Sequence, residues 1–262
     1  MTNRSWGDAV RGRTAVVTGG GNGLGRAIAL ALGAAGARVL LVGRTAETMD
    51  SVLRELALDG VQADAIVCDV TDALAVDRLR TRLEAESVSI LVNNAGIGGP
   101  VADLVDVRAE DWDDVFAANV RGVFLMCKTV LPGMIERQGG DIVNLASVTG
   151  KRPLRGRTPY AASKMAVIGL TATLAWEVGP AGVNVNSLSP GPVDGPRMNR
   201  NFAMEAQRTG RSYEEAEHEY VSRGALHRLL TEEEVANAVL AILNMPGLAG
   251  ADIDLSAGMI AR

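Results

Sequence analysis

The stretch TGGGNGLG, residues 18–25, decides the fold of this 262-residue chain. It follows an apolar run, residues 13–18, and precedes an alanine- and leucine-rich segment, residues 26–35. This order predicts a strand, a glycine turn and a helix. Glycines in such a turn let the main chain approach a pyrophosphate, and the start of the helix offers free N–H groups and a positive dipole end. We therefore expect the stretch to hold a dinucleotide.

Short β-branched or leucine-rich runs alternate with longer helical patterns along the whole chain, which predicts parallel strands joined by helical crossovers. We predict seven strands, at about residues 13–18, 37–43, 64–69, 88–93, 140–146, 183–188 and 251–255. The expected architecture is α/β: a Rossmann-like, doubly wound parallel sheet with helices on both faces. Its ligand crevice then lies beyond the carboxyl ends of the strands.

The domain organisation is predicted to be simple, because no linker-like segment divides the chain. We expect a single domain over residues 1–262, with an N-terminal tail at residues 1–12. Residues 190–230 lack a strand pattern and begin with Pro190-Gly191-Pro192. A segment of this length without a strand is often a lid, so we predict a helical lid over the site.

The composition excludes several classes of function. The net charge of −5 and the absence of a basic run argue against nucleic acid as a partner. Residues 1–13 lack the apolar core of a secretory signal, and we find no 18-residue apolar run, so we expect a cytoplasmic protein without a membrane partner. Cys68 and Cys127 stand among apolar neighbours and are predicted to be reduced core thiols; with no histidine near them, we expect no metal site.

The run VLLVGRT, residues 39–45, bears on the choice of cofactor. A carboxylate at the end of this strand would accept bonds from the ribose hydroxyls of NAD and would repel a 2′-phosphate. The chain has Gly43 there, followed by Arg44, whose guanidinium can bind a phosphate. We therefore expect NADP(H) to be preferred. NAD(H) stays possible, because the glycine loop contains no second basic residue.

Further cofactor contacts are predicted where the third and fourth strands end. Asp69 could accept a bond from the adenine amino group, or it could cap the helix after Thr71. The run NNAG, residues 93–96, closes the fourth strand with small residues and amides that can line a cofactor. The predicted contacts up to this point are Thr18, Gly19, Asn22, Gly23, Leu24, Gly25, Arg44, Thr45, Asp69, Val70, Asn93, Ala95 and Gly96.

A proton donor is predicted in the run YAASK, residues 160–164. Hydride transfer to a carbonyl carbon creates an alkoxide, which needs a proton within hydrogen-bond reach. Tyr160 and Lys164 lie one helical turn apart on the same face, and a nearby ammonium lowers the phenol's pKa from its usual value of about 10. Lys164 should also reach the nicotinamide ribose. Ser147, after the strand at 140–146, could donate a hydrogen bond to the same substrate oxygen. Asn119 could hold a water molecule that relays protons. Alternatively, its side chain could kink its own helix or bond to the backbone.

These motifs resemble those of the short-chain dehydrogenase/reductase family, in its shorter, single-domain branch, across residues 10–260. The resemblance rests on residues 18–25, Asp69, residues 93–96 and Pro190-Gly191, together with the tetrad Asn119, Ser147, Tyr160 and Lys164. It implies a Rossmann-like fold, NAD(P)(H) and commonly a homotetramer. Pro190 and Gly191 would then contact the cofactor. A threonine that often bonds the nicotinamide carboxamide is missing, and we assign that contact to the Val193 backbone.

The resemblance implies an oxidoreductase that interconverts a ketone and a secondary alcohol, with Tyr160 as general acid and base. Alternatives are an NAD-dependent dehydrogenase of an anionic alcohol, a cofactor-sensing binding protein that does not catalyse, and a dehydratase or epimerase, which usually has a longer chain. Six cations near the proposed cleft suggest an anionic small-molecule substrate: Lys151, Arg152, Arg155, Arg157, Arg197 and Arg200. They could instead pair with Glu214, Glu215 and Glu217 or lie at a subunit interface.

Overall fold

The strands of the sheet are all parallel and lie in the order β3-β2-β1-β4-β5-β6-β7. The computed structural model describes residues 9–260, apart from the side chain of Arg197. The strand bounds are β1 Thr14–Thr18, β2 Arg38–Gly43, β3 Ala63–Val67, β4 Ile90–Asn93, β5 Gly140–Leu145, β6 Val183–Pro190 and β7 Asp252–Leu255. All seven predicted strands are confirmed, with ends within two residues. The predicted tail at residues 1–12 lies mostly outside the described residues.

The central strands are apolar throughout because helices cover both faces of the sheet. Val16 and Val17 of β1 point to opposite faces, and both are completely buried. The strand order reverses direction between β1 and β4. The chain leaves these neighbouring strands toward opposite faces, which opens a crevice at their carboxyl ends. The glycine loop lies at this crevice.

Ten α-helices and a π-helical turn surround the sheet within the described residues. The bounds are α1 Gly23–Ala34, α2 Ala46–Leu58, α3 Ala73–Ala85, α4 Ala109–Phe116, α5 Gly122–Glu136, α6 Val148–Lys151, α7 Thr158–Val178, α8 Pro196–Thr209, α9 Tyr213–Val221 and α10 Glu232–Leu243; the π-helical turn spans Ala117–Arg121. The core on one face contains buried residues of α1, α2 and α10. The core on the other contains those of α3, α5 and α7.

The helix Ala109–Glu136, which joins α4, the π-helical turn and α5, is long and apolar enough by length and composition to cross a membrane. The sequence expectation of no such run is therefore wrong. The helix belongs to the core, however: 44% of its most apolar window is buried, and α5 packs against α3 and the sheet. Helices in the cores of soluble proteins can have the same length and apolar composition.

The segment after β6 is helical, as predicted. It contains α8 and α9, and its only pairing with an extended partner among the described residues is an isolated bridge between Val193 and Leu230. Phe202 of α8 is 1% exposed and packs edge-on against Tyr213 and Tyr220 of α9, with ring centroids 5.8 and 5.7 Å apart. The two helices thus share a small aromatic core of their own.

Candidate active site

The glycine loop is a tightly packed turn between β1 and α1. Gly19 and Gly23 have φ of +66° and +51°, a region that side chains rarely adopt. A Cβ on Gly25 would lie 2.0 Å from the carbonyl oxygen of Gly19, so only glycine lets α1 begin this close to the strand. Asn22 is the N-cap of α1, its side chain is exposed and makes no capping bond, and Leu24 packs on the core. The N–H groups of the first turn are therefore left for a ligand.

The loop is held to the end of β4 by side chains that are not exposed to the crevice. Thr18 is 1% exposed, and its hydroxyl accepts bonds from the backbone N–H groups of Asn94 and Ala95, each 3.0 Å long. Nδ2 of Asn94 donates a hydrogen bond to the carbonyl of Thr18. Asn94 was not among the predicted contacts, although it lies in the run that the sequence singled out. The position of its amide side chain next to a strand end could have identified Asn94 from the sequence.

The segment after β2 lies against the glycine loop. A Cβ on Gly21 would be 2.5 Å from Oγ1 of Thr48, in the first turn of α2. Arg44 and Thr45 occupy the connection between β2 and α2, and both are exposed. The guanidinium of Arg44 is thus available on the side where the adenosine ribose of a dinucleotide would lie in this fold.

Asp69 lies two residues beyond β3. Its Oδ1 accepts bonds from the N–H and the hydroxyl of Thr71, each 2.9 Å long. Its predicted alternative role as a helix cap is wrong, because Asp72 caps α3 by accepting from the N–H groups of Leu74 and Ala75. Val70 is buried beneath this turn. The adenine contact of Asp69 stays a prediction.

Ser147 is positioned by the end of β5 and the start of α6. It is the N-cap of α6, and its Oγ accepts a bond of 3.2 Å from the N–H of Thr149. Since this bond uses a lone pair, the hydroxyl proton remains able to donate to a substrate oxygen. A rigid strand end and a capped helix therefore fix the direction of the hydroxyl.

Tyr160 and Lys164 lie one turn apart near the start of α7, as predicted. The ammonium of Lys164 is 5.7 Å from the centroid of the Tyr160 ring. Lys164 is only 6% exposed, and its Nζ donates a bond of 2.6 Å to the carbonyl of Leu145 at the end of β5. Tyr160 is half-buried. The bond to β5 anchors the lysine beside the phenol and beside Ser147, which lies two residues beyond Leu145.

Asn119 lies in the π-helical turn and is completely buried. Its Oδ1 accepts from the N–H of Ile97 at 2.8 Å, and its Nδ2 donates to the carbonyl of Ile97 and to Oγ of Ser163. Ser163 in turn donates to the carbonyl of Tyr160. Asn119 thus makes the backbone bonds that the sequence allowed as its alternative role. It also links the loop after β4 to α7.

Gly96 completes this corner because it has no side chain. A Cβ there would lie 2.7 Å from Oδ1 of Asn119 and 3.8 Å from Nζ of Lys164.

Asn93, also predicted as a contact, is 2% exposed and donates to Oδ1 of Asn144 at 2.8 Å. Asn144 donates to Thr171 of α7 at 2.9 Å. Sequence reasoning missed Asn144 as a positioning residue, though an amide inside the apolar run DIVNLA was a signal.

The end of β6 borders the same crevice. The N–H of Gly191, after Pro190, donates to the carbonyl of Leu255 on β7. The bridge beyond it uses the carbonyl of Pro192 and the N–H of Asp194. The N–H of Val193 takes no part in that bridge, so it remains a candidate donor to a carboxamide.

The six cations do not all face one cleft. Lys151 bonds to Asp252 and Asp254 of β7, and Arg155 makes a two-bond pair with Asp103, at 3.0 and 2.6 Å. Arg200 is exposed on α8, and the side chain of Arg197 lies outside the described part. Arg157 donates to neutral oxygens, the carbonyl of Gly98 and Oδ1 of Asn201. Arg152 has a buried Nη1 that finds no hydrogen-bond partner among the residues that the structure describes.

Of the acids after β6 that could have neutralised these cations, Glu215 instead caps α9 with Ser212. Glu214 and Glu217 line a cavity of about 500 Å³ together with Asp194, His218 and His227. Arg228 also lines this cavity, and Lys151, Arg152, Arg155, Arg157 and Arg200 do not.

A nicotinamide dinucleotide fits this arrangement. The glycine loop leaves N–H groups and a main-chain cradle for the pyrophosphate, because side chains are sterically excluded at Gly19 and Gly25. Gly96 keeps the space beside Lys164 open. Among the described residues no group of three or more histidine, cysteine or acidic side chains could hold a metal.

Comparison with known proteins agrees with the geometry. Residues 13–206 match the family model described as short chain dehydrogenase. A candidate ketoacyl reductase of the granaticin polyketide synthase from Streptomyces violaceoruber is 40% identical over 237 residues, covering 86% of this chain and 84% of the relative.

Solved structures superpose over nearly the full length. A candidate NAD(P)-dependent gluconate 5-dehydrogenase from Beutenbergia cavernae, with bound NADP, gives a TM-score of 0.89 at 33% identity, covering 96% of this chain and 98% of the other. A xylitol dehydrogenase with bound NAD⁺ gives a TM-score of 0.90 at 28% identity, covering 95% and 99%.

The site and fold define an NAD(P)-dependent oxidoreductase that interconverts carbonyl and alcohol groups. The chain belongs to the short-chain dehydrogenase/reductase family.

Proposed function

We propose that this enzyme interconverts a ketone and a secondary alcohol, prefers NADP(H), and uses Tyr160 as its general acid and base. The observation that carries the proposal is the cluster of Ser147, Tyr160 and Lys164 at the carboxyl ends of β5 and the start of α7. The bond from Lys164 to Leu145 connects the end of β5, two residues before Ser147, with the start of α7, which carries Tyr160.

The chain's own residues manage the proton and the substrate oxygen. Ser147 donates a hydrogen bond to the carbonyl oxygen and holds it in line with Tyr160. In reduction, the Tyr160 hydroxyl gives its proton to that oxygen, and in oxidation the phenolate takes it back. The Lys164 ammonium stabilises the phenolate electrostatically. A bound reduced nicotinamide supplies the hydride that goes to the carbonyl carbon. Asn119 and Ser163 hold the turn of α7 that bears Tyr160.

The preference for NADP(H) rests on Arg44. It is exposed next to the glycine loop, and Gly43 stands where an acid would repel a 2′-phosphate. A guanidinium is well suited to a phosphate because it can donate two parallel bonds. The neighbours of known structure include both an NADP complex and an NAD⁺ complex, so the test must compare the two cofactors directly.

The activity is tested by incubating the purified protein with panels of ketones and secondary alcohols in the presence of NADPH, NADH and their oxidised forms. Reduction of at least one class of ketone, measured at the nicotinamide absorbance band, is the expected result. A protein that binds the cofactor and turns over no ketone or alcohol of the panels would instead fit the cofactor-sensing alternative.

Replacing Arg44 tests the cofactor preference. In Arg44→Ala, the ratio of kcat/KM for NADPH to that for NADH should fall about tenfold or more, because a charge-assisted bond to phosphate is lost. Arg54→Ala, an exposed arginine on α2, is the matched control and should leave the ratio unchanged. An unchanged ratio in Arg44→Ala would contradict the assignment.

The assembly and the substrate class are further parts of the proposal. A homotetramer is typical of the family, and exposed apolar side chains on α5 and α7 support association of copies. A cytoplasmic location is proposed from the sequence alone. An anionic small molecule is proposed as substrate. A relative of similar structure is named for gluconate, which carries a carboxylate.

A further inference from the structure

Arg152 is an unusual cation in this part of the chain. It follows α6 directly, five residues after Ser147, and begins the connection that leads to Tyr160. Its Nη1 is buried and has no hydrogen-bond partner among the described residues. Burying an N–H of a charged group without an acceptor costs free energy, so such groups are rare in folded proteins. The other two cations nearest in sequence, Lys151 and Arg155, have carboxylate partners.

Tyr220 lies on α9, in the segment after β6. The Tyr220 ring packs against Phe202, with centroids 5.7 Å apart, and the guanidinium carbon of Arg223 lies 5.5 Å from its centroid. Burial raises the pKa of the Tyr220 phenol, and the charges of Arg157, Arg223 and Arg152 act in the opposite direction. Tyr160 also interacts electrostatically with Tyr220. The guanidinium of Arg152 and the phenol of Tyr160 thus both act electrostatically on Tyr220.

Arg157, in the same connection between α6 and α7, donates hydrogen bonds to neutral oxygens. Arg157 donates to the carbonyl of Gly98, in the loop after β4, and to Oδ1 of Asn201 on α8. These two bonds connect the loop, the start of α7 and the lid. Because the acceptors are neutral, they add no negative charge to this connection.

We propose that the guanidinium of Arg152 binds a carboxylate of the substrate. The inference rests on the proposed function, since it places the reacting carbonyl at Ser147 and Tyr160. A guanidinium with one buried N–H group that lacks an acceptor among the described residues suits a monoanion, and its planar fork offers parallel donors to a carboxylate. A neutral polyol would leave the charge without a counterion.

The proposal has a geometric consequence. In this proposal the carboxylate is held at Arg152 and the carbonyl at Ser147 and Tyr160, so the substrate has two separate points of attachment. The enzyme should therefore prefer one spacing between the ketone and the carboxylate. Oxo acids that are one methylene too short or too long should bind less well, because they cannot reach both groups at once.

The experiment measures binding and turnover separately. The probes are 4-oxopentanoate, 5-oxohexanoate and 6-oxoheptanoate, each compared with its uncharged amide. Binding to the enzyme saturated with NADP⁺ is measured by calorimetry, and reduction is measured with NADPH. The variants are Arg152→Gln, Arg152→Lys and the control Arg155→Gln, whose guanidinium is exposed and already paired with Asp103.

The wild-type enzyme should bind the best acid about 10- to 100-fold more tightly than its amide, the range expected for a charged hydrogen bond. Arg152→Gln should lose this preference while binding the amide as before. Arg152→Lys should keep part of it, and Arg155→Gln all of it. Thermal unfolding of each variant verifies that it is folded.

Equal binding of acid and amide by the wild type, at every chain length, would overturn the role of Arg152, as would an acid preference that survives in Arg152→Gln. The two proposals can fail separately. Reduction of acids and amides with equal binding leaves the ketone reductase standing without the carboxylate site. Arg152-dependent binding without reduction of any probe retains the site and argues against ketone reduction.

Discussion

Lys164 shows how one residue connects the sheet to the chemistry. Its buried ammonium is satisfied by the carbonyl of Leu145, at the end of β5, and it faces the Tyr160 ring. A charge held in this way cannot swing to solvent, so its field acts steadily on the phenol. Replacement by a neutral residue would remove the field and leave the carbonyl of Leu145 without its donor.

The thiols give a prediction at the same scale. Burial raises the pKa of Cys127 to about 12 and also raises that of Cys68. Since the thiolate is the reactive form, neither cysteine should react with an aromatic disulfide reagent at pH 8 in the folded enzyme. Both should react once guanidinium chloride unfolds the chain. Rapid loss of a thiol together with activity under native conditions would contradict the buried, structural role.

The π-helical turn is the element that matters most for the site. It places Asn119 where one amide side chain satisfies both backbone groups of Ile97 and the hydroxyl of Ser163. π-Turns of this kind are rare and often lie at functional sites. The turn thereby connects the loop after β4 with the helix that carries Tyr160.

Asn119→Ala tests this connection. The substitution leaves buried polar groups unpaired, so we expect a loss of about 1–3 kcal/mol in the free energy of unfolding. We also expect kcat to fall more than tenfold, because the start of α7 is no longer held. Calorimetry and steady-state kinetics check the two effects. Asp114→Asn, an exposed position on α4, is the control. An active, fully stable Asn119→Ala enzyme would show that the connection is dispensable.

Most of this arrangement could be predicted at the level of elements. Apolar runs alternating with helical patterns located all seven strands, because buried parallel strands carry a strong local signal. The spacing of Tyr160 and Lys164 fixed their common face. The π-turn could not be foreseen, since it depends on contacts with Ile97 and Ser163 that are distant in sequence. Pairing of Lys151 with β7 and Arg155 with Asp103 was equally hidden, because charge partners depend on tertiary packing.

At the scale of the whole molecule, α5 and α7 expose large apolar side chains. Phe124 on α5, Met165 and Trp176 on α7 are 48%, 49% and 87% exposed. A shallow cavity of about 500 Å³ lies beside Phe124, lined also by Phe116 and Val120. Closed symmetric assemblies bury such faces between copies.

For the homotetramer proposed above, light scattering after size exclusion should give a mass about four times the chain's 27.4 kDa. The double variant Phe124→Glu with Trp176→Glu should reduce the mass, because burying two charges at an interface is unfavourable. Leu226→Glu, which places a charge at an exposed position in the segment after β6, should not. A wild-type monomer at micromolar concentration would contradict the proposed assembly.

The central claim concerns the proton donated by Tyr160, and single-turnover reduction by Tyr160→Phe tests it most directly. The variant is mixed with NADPH and the best ketone of the panel, and oxidation of NADPH is followed after its affinity has been measured. We predict that NADPH binds within about threefold of wild type while the rate of reduction falls about 10²- to 10⁴-fold, the range for loss of a general acid. A rate within tenfold of wild type would contradict the account.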